Sequence, residues 1–359
     1  MTNRQINVLV ADDSSVSRLL LAHLLESDPL IHVVGAVNDG QAAVDFVNGN
    51  SPDVIVMDIH MPRLDGFEAT RRIMETQPVP IIICTATTNP KDVVTTLRLM
   101  EAGAVACVEK PLARERADFG QLVANLLQTV KLMSEVKVVR RWPRSTLLPA
   151  PTARPVELKS APAWITLIGM GASAGGPPVL QTILSGLSNN FPVAILIVQH
   201  IARGFLPGLV EWLNQTTGLQ VQIASQGSRP SPGHVYLAPD DFHMGVSGNG
   251  RIHLTREEPE NGLRPAVSYL FRSLAEVCGR NALGVLLSGM GKDGAAELKL
   301  MKDKGAITIA QDRESSIVHG MPGEAIELGG ATHVLAADNI ADTLITLVNR
   351  RHTAGGIQP

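Results

Sequence analysis

The sequence is poor in cysteine and contains no long apolar run. Three cysteines, Cys84, Cys107 and Cys278, occur among 359 residues, too few and too scattered for a disulfide framework or a cysteine-rich metal site. No stretch reaches the roughly 18 consecutive apolar residues that a membrane-spanning helix needs, so we expect no membrane insertion. The N-terminus also lacks the apolar core and cleavage site of a signal peptide. These absences predict a cytoplasmic protein in a reducing compartment.

The chain is long enough for two domains, and a segment of unusual composition separates them. At roughly 150 residues per domain, a length of 359 residues predicts two domains. Residues 131–163 carry seven Lys and Arg against two Asp and Glu, together with five prolines, which exclude a continuous helix or central strand there. We predict a first domain at 1–130, a linker at 131–163 that begins as a helix and becomes Pro-rich and basic, a second domain at 164–350 and a tail at 351–359. Because acidic domains flank this short linker, we interpret it as a solvated tether that binds no nucleic acid.

The first domain alternates apolar runs with helix-period patterns. Five such β/α units predict an α/β fold with a doubly wound parallel sheet, covered by helices on both faces. The last helix is predicted to continue from Asp118 toward Val139. The five apolar runs are residues 6–11, 32–37, 54–57, 80–84 and 104–108.

Polar residues fall where these runs end, at the edge at which open α/β sheets bind ligands. They are Asp12, Asp13, Asp58, Thr85 and Lys110. Three carboxylates in one pocket repel one another unless a cation lies between them, and a set of oxygen ligands suits Mg²⁺. A carboxylate can also accept a phosphoryl group while a metal ion and a lysine neutralise the developing charge. We assign the acceptor role to Asp58.

The spaced motifs Asp12-Asp13, Met57 to Gly66, Thr85-Ala86 and Lys110-Pro111 resemble those of a two-component receiver domain, which has a flavodoxin-like fold. The resemblance implies a set of roles for the residues at the strand ends. One position departs from the pattern: Cys107 stands where many receivers have an aromatic switch, and we interpret it as a packing residue rather than a redox site. The implied roles are Asp12, Asp13 and Asp58 as Mg²⁺ ligands, Asp58 as phosphoacceptor, Thr85 as the hydroxyl that follows the phosphoryl group, and Lys110 as its cation partner.

Three apolar runs of the second domain lead to reactive residues. Residues 164–170 lead to Ser173, residues 192–198 to His200, and residues 282–288 through a glycine-rich turn to Asp293. The carboxyl ends of parallel strands meet at one edge, so a nucleophile, a base and an orienting carboxylate can converge there. Backbone donors for an oxyanion could come from the turn Gly289-Met290-Gly291 or from the amides that follow Ser173.

Two other motifs also fit the segment around Ser173. The spacing Gly171 to Gly175 matches the nucleophile elbow of α/β-hydrolases, but their triad runs serine, acid, histidine along the chain, whereas here the histidine comes second. A dinucleotide fingerprint also matches, yet the next strand ends in Gln199-His200 where a ribose-binding acid is expected. The order of the residues therefore favours another serine hydrolase fold.

The stretches Ile168 to Pro177, Val198 to His200 and Leu287 to Gly294 resemble the catalytic domain of the chemotaxis protein-glutamate methylesterase (CheB) family. The resemblance implies a triad of Ser173, His200 and Asp293, the Met290 backbone as oxyanion donor, no cofactor in the esterase site, and a doubly wound parallel-sheet domain. It also implies demethylation of chemoreceptor glutamate esters with release of methanol, and a possible glutaminase activity. The unphosphorylated receiver is expected to cover the site until a CheA-type histidine kinase phosphorylates it.

Some positions depart from the family or stay open. Ser268 stands where an acidic residue is usual, and Arg264 is either a substrate-side cation or a salt-bridge partner. We interpret His234, His243 and His253, near a predicted hairpin at Gly248-Asn249-Gly250, as surface residues because their spacing is not that of a metal site. The rival function is an adaptor that has lost turnover and only docks on receptors. A DNA-binding regulator lacks support because no basic recognition helix is present.

Overall fold

The computed structural model describes residues 4–86, 99–100, 102–112, 119–136, 138 and 165–349. The chain divides into two compact units, Met1–Leu147 and Leu148–Pro359, which are described separately. Most of the predicted linker at 131–163 and the tail at 351–359 lie outside the described residues, so both stay predictions. Within the described part of the chain, no helix is long and apolar enough to cross a membrane.

The first unit contains a five-stranded parallel sheet with the strand order β2-β1-β3-β4-β5. Its central strands β3 and β4 are buried at every residue, as expected for strands covered by helices on both faces. The strands are β1 (Ile6–Ala11), β2 (Ile31–Val37), β3 (Val54–Met57), β4 (Ile81–Thr85) and β5 (Ala106–Glu109). The described helices are α1 (Ser15–Leu25), α2 (Gly40–Gly49), α3 (Gly66–Thr76) and α4 (Phe119–Met133). The predicted fold class is confirmed for this unit.

Helix α4 ends earlier than predicted. Its last buried residue is Met133, and the N–H groups of Glu135 and Val136 turn back to the carbonyls of Leu132 and Met133. These three-residue turns end the helix at Met133. The predicted continuation toward Val139 is wrong for the described residues up to Val136.

The second unit contains a seven-stranded parallel sheet with the strand order β14-β13-β12-β6-β7-β9-β8. An antiparallel pair, β10 and β11, forms the predicted hairpin. The strands are β6 (Leu167–Ala172), β7 (Ala194–Gln199), β8 (Gln220–Ile223), β9 (His234–Leu237), β10 (His243–Val246), β11 (Ile252–Thr255), β12 (Ala282–Leu286), β13 (Ile307–Gln311) and β14 (His333–Leu335). The helices are α5 (Gly176–Ser185), α6 (Leu206–Thr216), α7 (Val267–Val277), α8 (Ala295–Asp303), α9 (Met321–Glu327) and α10 (Ala337–Asn349).

Two helix starts position the candidate esterase site. In the first unit, the residue before each helix caps it by accepting a hydrogen bond from an N–H group of the first turn. These capping residues are Ser14 for α1, Asp39 for α2 and Asp65 for α3. Helices α5 and α8 are instead preceded by Gly175 and Gly294, which provide no side-chain cap. The backbone of these two glycines lies in the left-handed region, with φ angles of 72° and 81°. The sharp turns that these glycines allow follow strands β6 and β12 and carry Ser173 and Asp293.

Candidate active site and phosphorylation site

The five polar residues predicted at the strand ends of the first unit converge. Ligand oxygens of Asp12, Asp13 and Asp58 all lie within 4.8 Å of one another. The Lys110 Nζ atom lies 2.8 Å from Oδ2 of Asp12 and 3.1 Å from Oδ2 of Asp58. Thr85, the last residue of β4, is buried at the same sheet edge.

The charges of this cluster fit a divalent cation. Burial raises the pKa of the Asp58 carboxyl, and the opposing attraction of Lys110 does not cancel that effect. Burial alone would lower the pKa of Lys110, but its bonds to Asp12 and Asp58 reverse this and raise it. One lysine thus faces three carboxylates, and the remaining negative charge with an all-oxygen donor set suits Mg²⁺.

Cys107 lies in β5, three residues before Lys110, and packs against the core of the first unit. Burial raises the pKa of its thiol well above the ordinary value, so the reactive thiolate is disfavoured. This arrangement supports the interpretation of Cys107 as a packing residue.

The candidate triad residues come together at the carboxyl edge of the second sheet. Strand β6 runs to Ala172, which pairs with Gln199 of β7, so Ser173 and His200 follow paired residues on neighbouring strands. The His200 N–H donates to the Ala172 carbonyl at 2.9 Å. The Nε2 atom of His200 lies 3.0 Å from Oδ2 of Asp293.

The His200–Asp293 pair has a short distance but an imperfect angle. Nε2 of His200 makes no geometrically satisfactory hydrogen bond with any described residue, although its distance to Asp293 is that of a direct contact. The 3.0 Å distance fits a triad pair, because catalytic hydrogen bonds without substrate are often poorly aligned and tighten when it binds. With Nε2 facing Asp293, the Nδ1 atom of the assigned ring orientation is the nitrogen left for proton transfer.

Backbone amides of helix α7 hold the Asp293 carboxylate. The Val267 N–H donates to Oδ2 at 2.7 Å, and the Ser268 N–H donates to Oδ1 at 3.0 Å. Burial opposes ionisation of Asp293, but its interactions with His200 and Ser268 outweigh burial and lower its pKa. A carboxylate at a helix N-terminus is also favoured by the helix dipole. Asp293 is therefore ionised at neutral pH.

The turn after β12 packs directly against Ser173. A Cβ atom on Gly289 would lie 2.8 Å from Cβ of Ser173 and 2.3 Å from Sδ of Met321, so this close approach requires glycine. The Gly289 N–H is already used, since it donates to the Val318 carbonyl. Among the hydrogen bonds of the described residues, none uses the N–H of Met290 or of Ala174. Both predicted sources of an oxyanion donor therefore have a free N–H.

Sequence reasoning assigned no role to the buried polar residues around Ser173. Ser288 accepts the Ser173 N–H through its carbonyl at 3.0 Å, and its hydroxyl donates to the Ala174 carbonyl at 2.8 Å. Gln311 accepts the Ser288 N–H at 2.7 Å, and Gln199 donates to the carbonyls of Ser173 and His200. Each of these side chains ends an apolar run, and that position was the signal that could have identified them.

The structure corrects the interpretation of His243 as a surface residue and narrows the two roles left open for Arg264. His243 is fully buried and not on the surface: Nδ1 accepts the Ala266 N–H, so Nε2 donates to the Glu258 carbonyl at 3.1 Å. Tertiary packing of β10 under α7 causes this burial, and the ring stacks on Tyr269. Arg264 has no ion pair with any described residue and instead donates to the carbonyls of Arg256 and Glu257. A substrate-side role for Arg264 stays a prediction.

Ser268, where the resemblance leads us to expect an acidic residue, lies beside a carboxylate of another residue. Its hydroxyl donates to Oε2 of Glu297 at 2.7 Å and accepts the Gly294 N–H at 3.0 Å. Glu297, from the first turn of α8, therefore supplies a carboxylate beside the helix terminus that holds Asp293.

Comparison with known proteins gives matches to both units. A family model described as CheB methylesterase matches residues 168–344, and one described as response regulator receiver domain matches residues 8–118. The crystal structure of the Thermotoga maritima CheB methylesterase catalytic domain matches with a TM-score of 0.50 and 40% identity, covering 51% of this chain and 99% of that chain.

Two curated relatives align over nearly their whole lengths. The protein-glutamate methylesterase/protein-glutamine glutaminase of Nitrosospira multiformis is 52% identical over 349 residues, which is 96% of this chain and 98% of the relative. Protein-glutamate methylesterase/protein-glutamine glutaminase 1 of Syntrophus aciditrophicus is 51% identical over 356 residues, covering 99% of this chain and all of the relative.

Proposed function

Because the chain belongs to the CheB family of protein-glutamate methylesterases and carries a receiver domain before its methylesterase domain, we propose that it is a phosphorylation-activated serine hydrolase. Its substrates are glutamate methyl esters on cytoplasmic regions of methylated chemoreceptors. The observation that supports this most strongly is the convergence of Ser173, His200 and Asp293, with the Gly289 turn against the serine. A cytoplasmic location is part of the proposal.

The triad residues divide the reaction into two steps. The Ser173 hydroxyl oxygen attacks the ester carbonyl, and its proton moves to Nδ1 of His200. His200 then returns that proton to the departing methoxide, which leaves as methanol. In the second step water attacks the acyl-serine, His200 takes and returns its proton, and the glutamate carboxylate is released. Asp293 holds the ring and stabilises the imidazolium throughout.

Backbone N–H groups stabilise the oxyanion that forms during each attack. We assign this role to Met290, and the free N–H of Ala174 is available as a second donor. The loss of one such donor typically costs about 2.7 to 4 kcal/mol of barrier. The same machinery acting on a glutamine amide would release ammonia, and we propose this glutaminase reaction as a second activity because the relatives' names include it.

The first unit controls the esterase through Asp58. We assign Asp58 as the phosphoacceptor and a CheA-type histidine kinase as the phosphodonor. Asp12, Asp13 and Asp58 would hold Mg²⁺, which when bound supplies positive charge to the transferring phosphoryl group. Lys110 lies between Asp12 and Asp58 and pairs with a phosphoryl oxygen, and the Thr85 hydroxyl follows the phosphoryl group. The esterase is restrained until Asp58 is phosphorylated.

Methanol release from methylated receptor membranes tests the hydrolase against the adaptor. We expect Ser173→Ala to remove release almost completely while the variant still binds the membranes, since the residue that forms the acyl-enzyme is absent. Release by Ser173→Ala equal to that of the wild type would favour the adaptor.

A further inference from the structure

One buried side chain joins the main chain of the nucleophile to that of the base. Gln199 is the last residue of β7 and is 5% exposed as a whole residue. Its Nε2 donates to the carbonyl oxygen of Ser173 at 2.9 Å and to that of His200 at 2.8 Å. Because both acceptors are carbonyls, this orientation of the amide is required: the reverse orientation would place Oε1 against two other oxygens.

The bond to the Ser173 carbonyl orients a peptide next to the nucleophile. That carbonyl also accepts the Gly176 N–H at 2.8 Å, so both of its lone pairs are used. A trans peptide directs the following N–H away from the carbonyl. The N–H that follows is that of Ala174, which no hydrogen bond among the described residues uses. The amide of Gln199 therefore holds the peptide that presents this free donor.

The other end of the Gln199 amide has no compensating bond. Its Oε1 atom is buried and has no hydrogen-bond partner among the described residues. It lies against Gly176, where an added Cβ would be 2.3 Å away, so only glycine leaves room for it. Burying an unsatisfied acceptor is unfavourable, so the two hydrogen bonds donated by Nε2 are the interactions that favour a glutamine here.

We propose that Gln199 is a positioning residue of the esterase that holds the Ser173 and His200 main chains in one fixed arrangement. Gln199 does not touch the reacting atoms; it acts through the two carbonyls that it binds. The inference rests on the proposed function, since it assigns to Ser173 and His200 the roles of nucleophile and base.

The first test is Gln199→Met in the full chain, which keeps the side-chain length and removes both donors. With methylated receptor membranes and a phosphodonor, we expect kcat to fall about 100-fold, the loss that a misplaced catalytic group can cause, with KM unchanged. Labelling of Ser173 by a fluorophosphonate should slow in parallel. The matched control is Thr308→Val, which removes a buried hydrogen bond to the Gly330 carbonyl from the same sheet. A kcat for Gln199→Met equal to that of the control, or an effect on KM alone, would overturn the inference.

Two further measurements keep the test decisive if Gln199→Met does not fold. Gly176→Ala retains the glutamine but pushes on its Oε1 and on Cβ of Ala172, and we expect it to lower kcat without raising KM. In the wild type, both Gln199 side-chain amide hydrogens should exchange slowly with water by NMR, and rapid exchange would contradict the two hydrogen bonds. Ser173→Ala in the same series distinguishes a failure of the proposed function from a failure of this inference. If Ser173→Ala retains activity, the proposed function fails. If Ser173→Ala is inactive but the Gln199 and Gly176 variants retain full activity, only this inference fails.

Discussion

Asp58 and Asp293 both lie beyond the carboxyl ends of buried parallel strands, one in each unit, yet their surroundings differ. The Asp58 side chain is 12% exposed and lies beside Asp12 and Lys110. The Asp293 side chain is 2% exposed and lies among the N–H groups of α7 and the ring of His200. Burial raises the pKa of Asp58, whereas the donors around Asp293 lower its pKa.

The difference shows that the groups around a carboxylate, rather than its position in the sheet, determine which chemical role it suits. Asp58 keeps some exposure and shares its pocket with other carboxylates, so it suits a cation and an incoming phosphoryl group. Asp293 has its oxygens occupied by backbone donors and a histidine, so it suits the role of orienting that histidine.

The largest expected effect comes from Asp293. We expect Asp293→Asn to lower kcat for methanol release about 10⁴-fold, because a neutral amide cannot stabilise the imidazolium and disturbs the histidine tautomer. The loss should be the same with and without phosphodonor. The control is Asp303→Asn, at the last residue of the helix α8 that follows Asp293, where the carboxylate pairs with Lys299 at the surface. Equal rates for the two variants would remove Asp293 from the triad.

Removal of metal should affect the Asp58 pocket alone. Chelation is expected to slow phosphorylation of the chain by a small phosphodonor about 100-fold, because a metal ion contributes several kcal/mol to such a transfer. Mg²⁺ should restore the rate. Methanol release without phosphodonor should not change, and a loss of that basal release on chelation would place a metal requirement in the esterase itself.

Substitution of Asp58 should remove stimulation without affecting the chemistry at Ser173. We expect Asp58→Asn to release methanol at the unstimulated rate whether or not phosphodonor is present, since no acceptor carboxylate remains. Asp45→Asn, which changes an exposed carboxylate of α2, should respond like the wild type. Full stimulation of Asp58→Asn would show that phosphorylation of another residue controls the enzyme.

The smallest effect concerns acid stability. The lowered pKa of Asp293 means that the folded state binds its proton less readily than the unfolded state does, so ionised Asp293 stabilises the fold above pH 3.8. This contribution is lost as the pH falls through the folded pKa. The difference in free energy of unfolding between wild type and Asp293→Asn, from urea titrations, should therefore shrink below pH 3.8. A difference that stays constant into acid would mean that Asp293 is not ionised in the fold.

Much of this arrangement could be predicted because parallel sheets leave clear local patterns. Apolar runs ending at Asp58, Ser173 and His200 predicted both sheets, since strand ends meet at one edge whatever the loops do. The burial of His243 could not be predicted, because it depends on packing of β10 under α7. The contacts of Gln199 were also missed: its position at the end of an apolar run could have singled it out, but that pattern does not show which backbone carbonyls it binds.

Residue types and their spacing were enough to predict the two α/β folds, the order of serine, histidine and aspartate along the chain, and the set of acidic residues. Periodicity and residue type act over a few positions, and they persist through any packing of the domain. Which atoms meet depends on the packing of the folded chain: Nε2 of His200 lies against Asp293, the α7 amides bind that carboxylate, and Gln199 binds the Ser173 carbonyl. These contacts join residues distant in sequence, and their distances depend on how strands and helices pack.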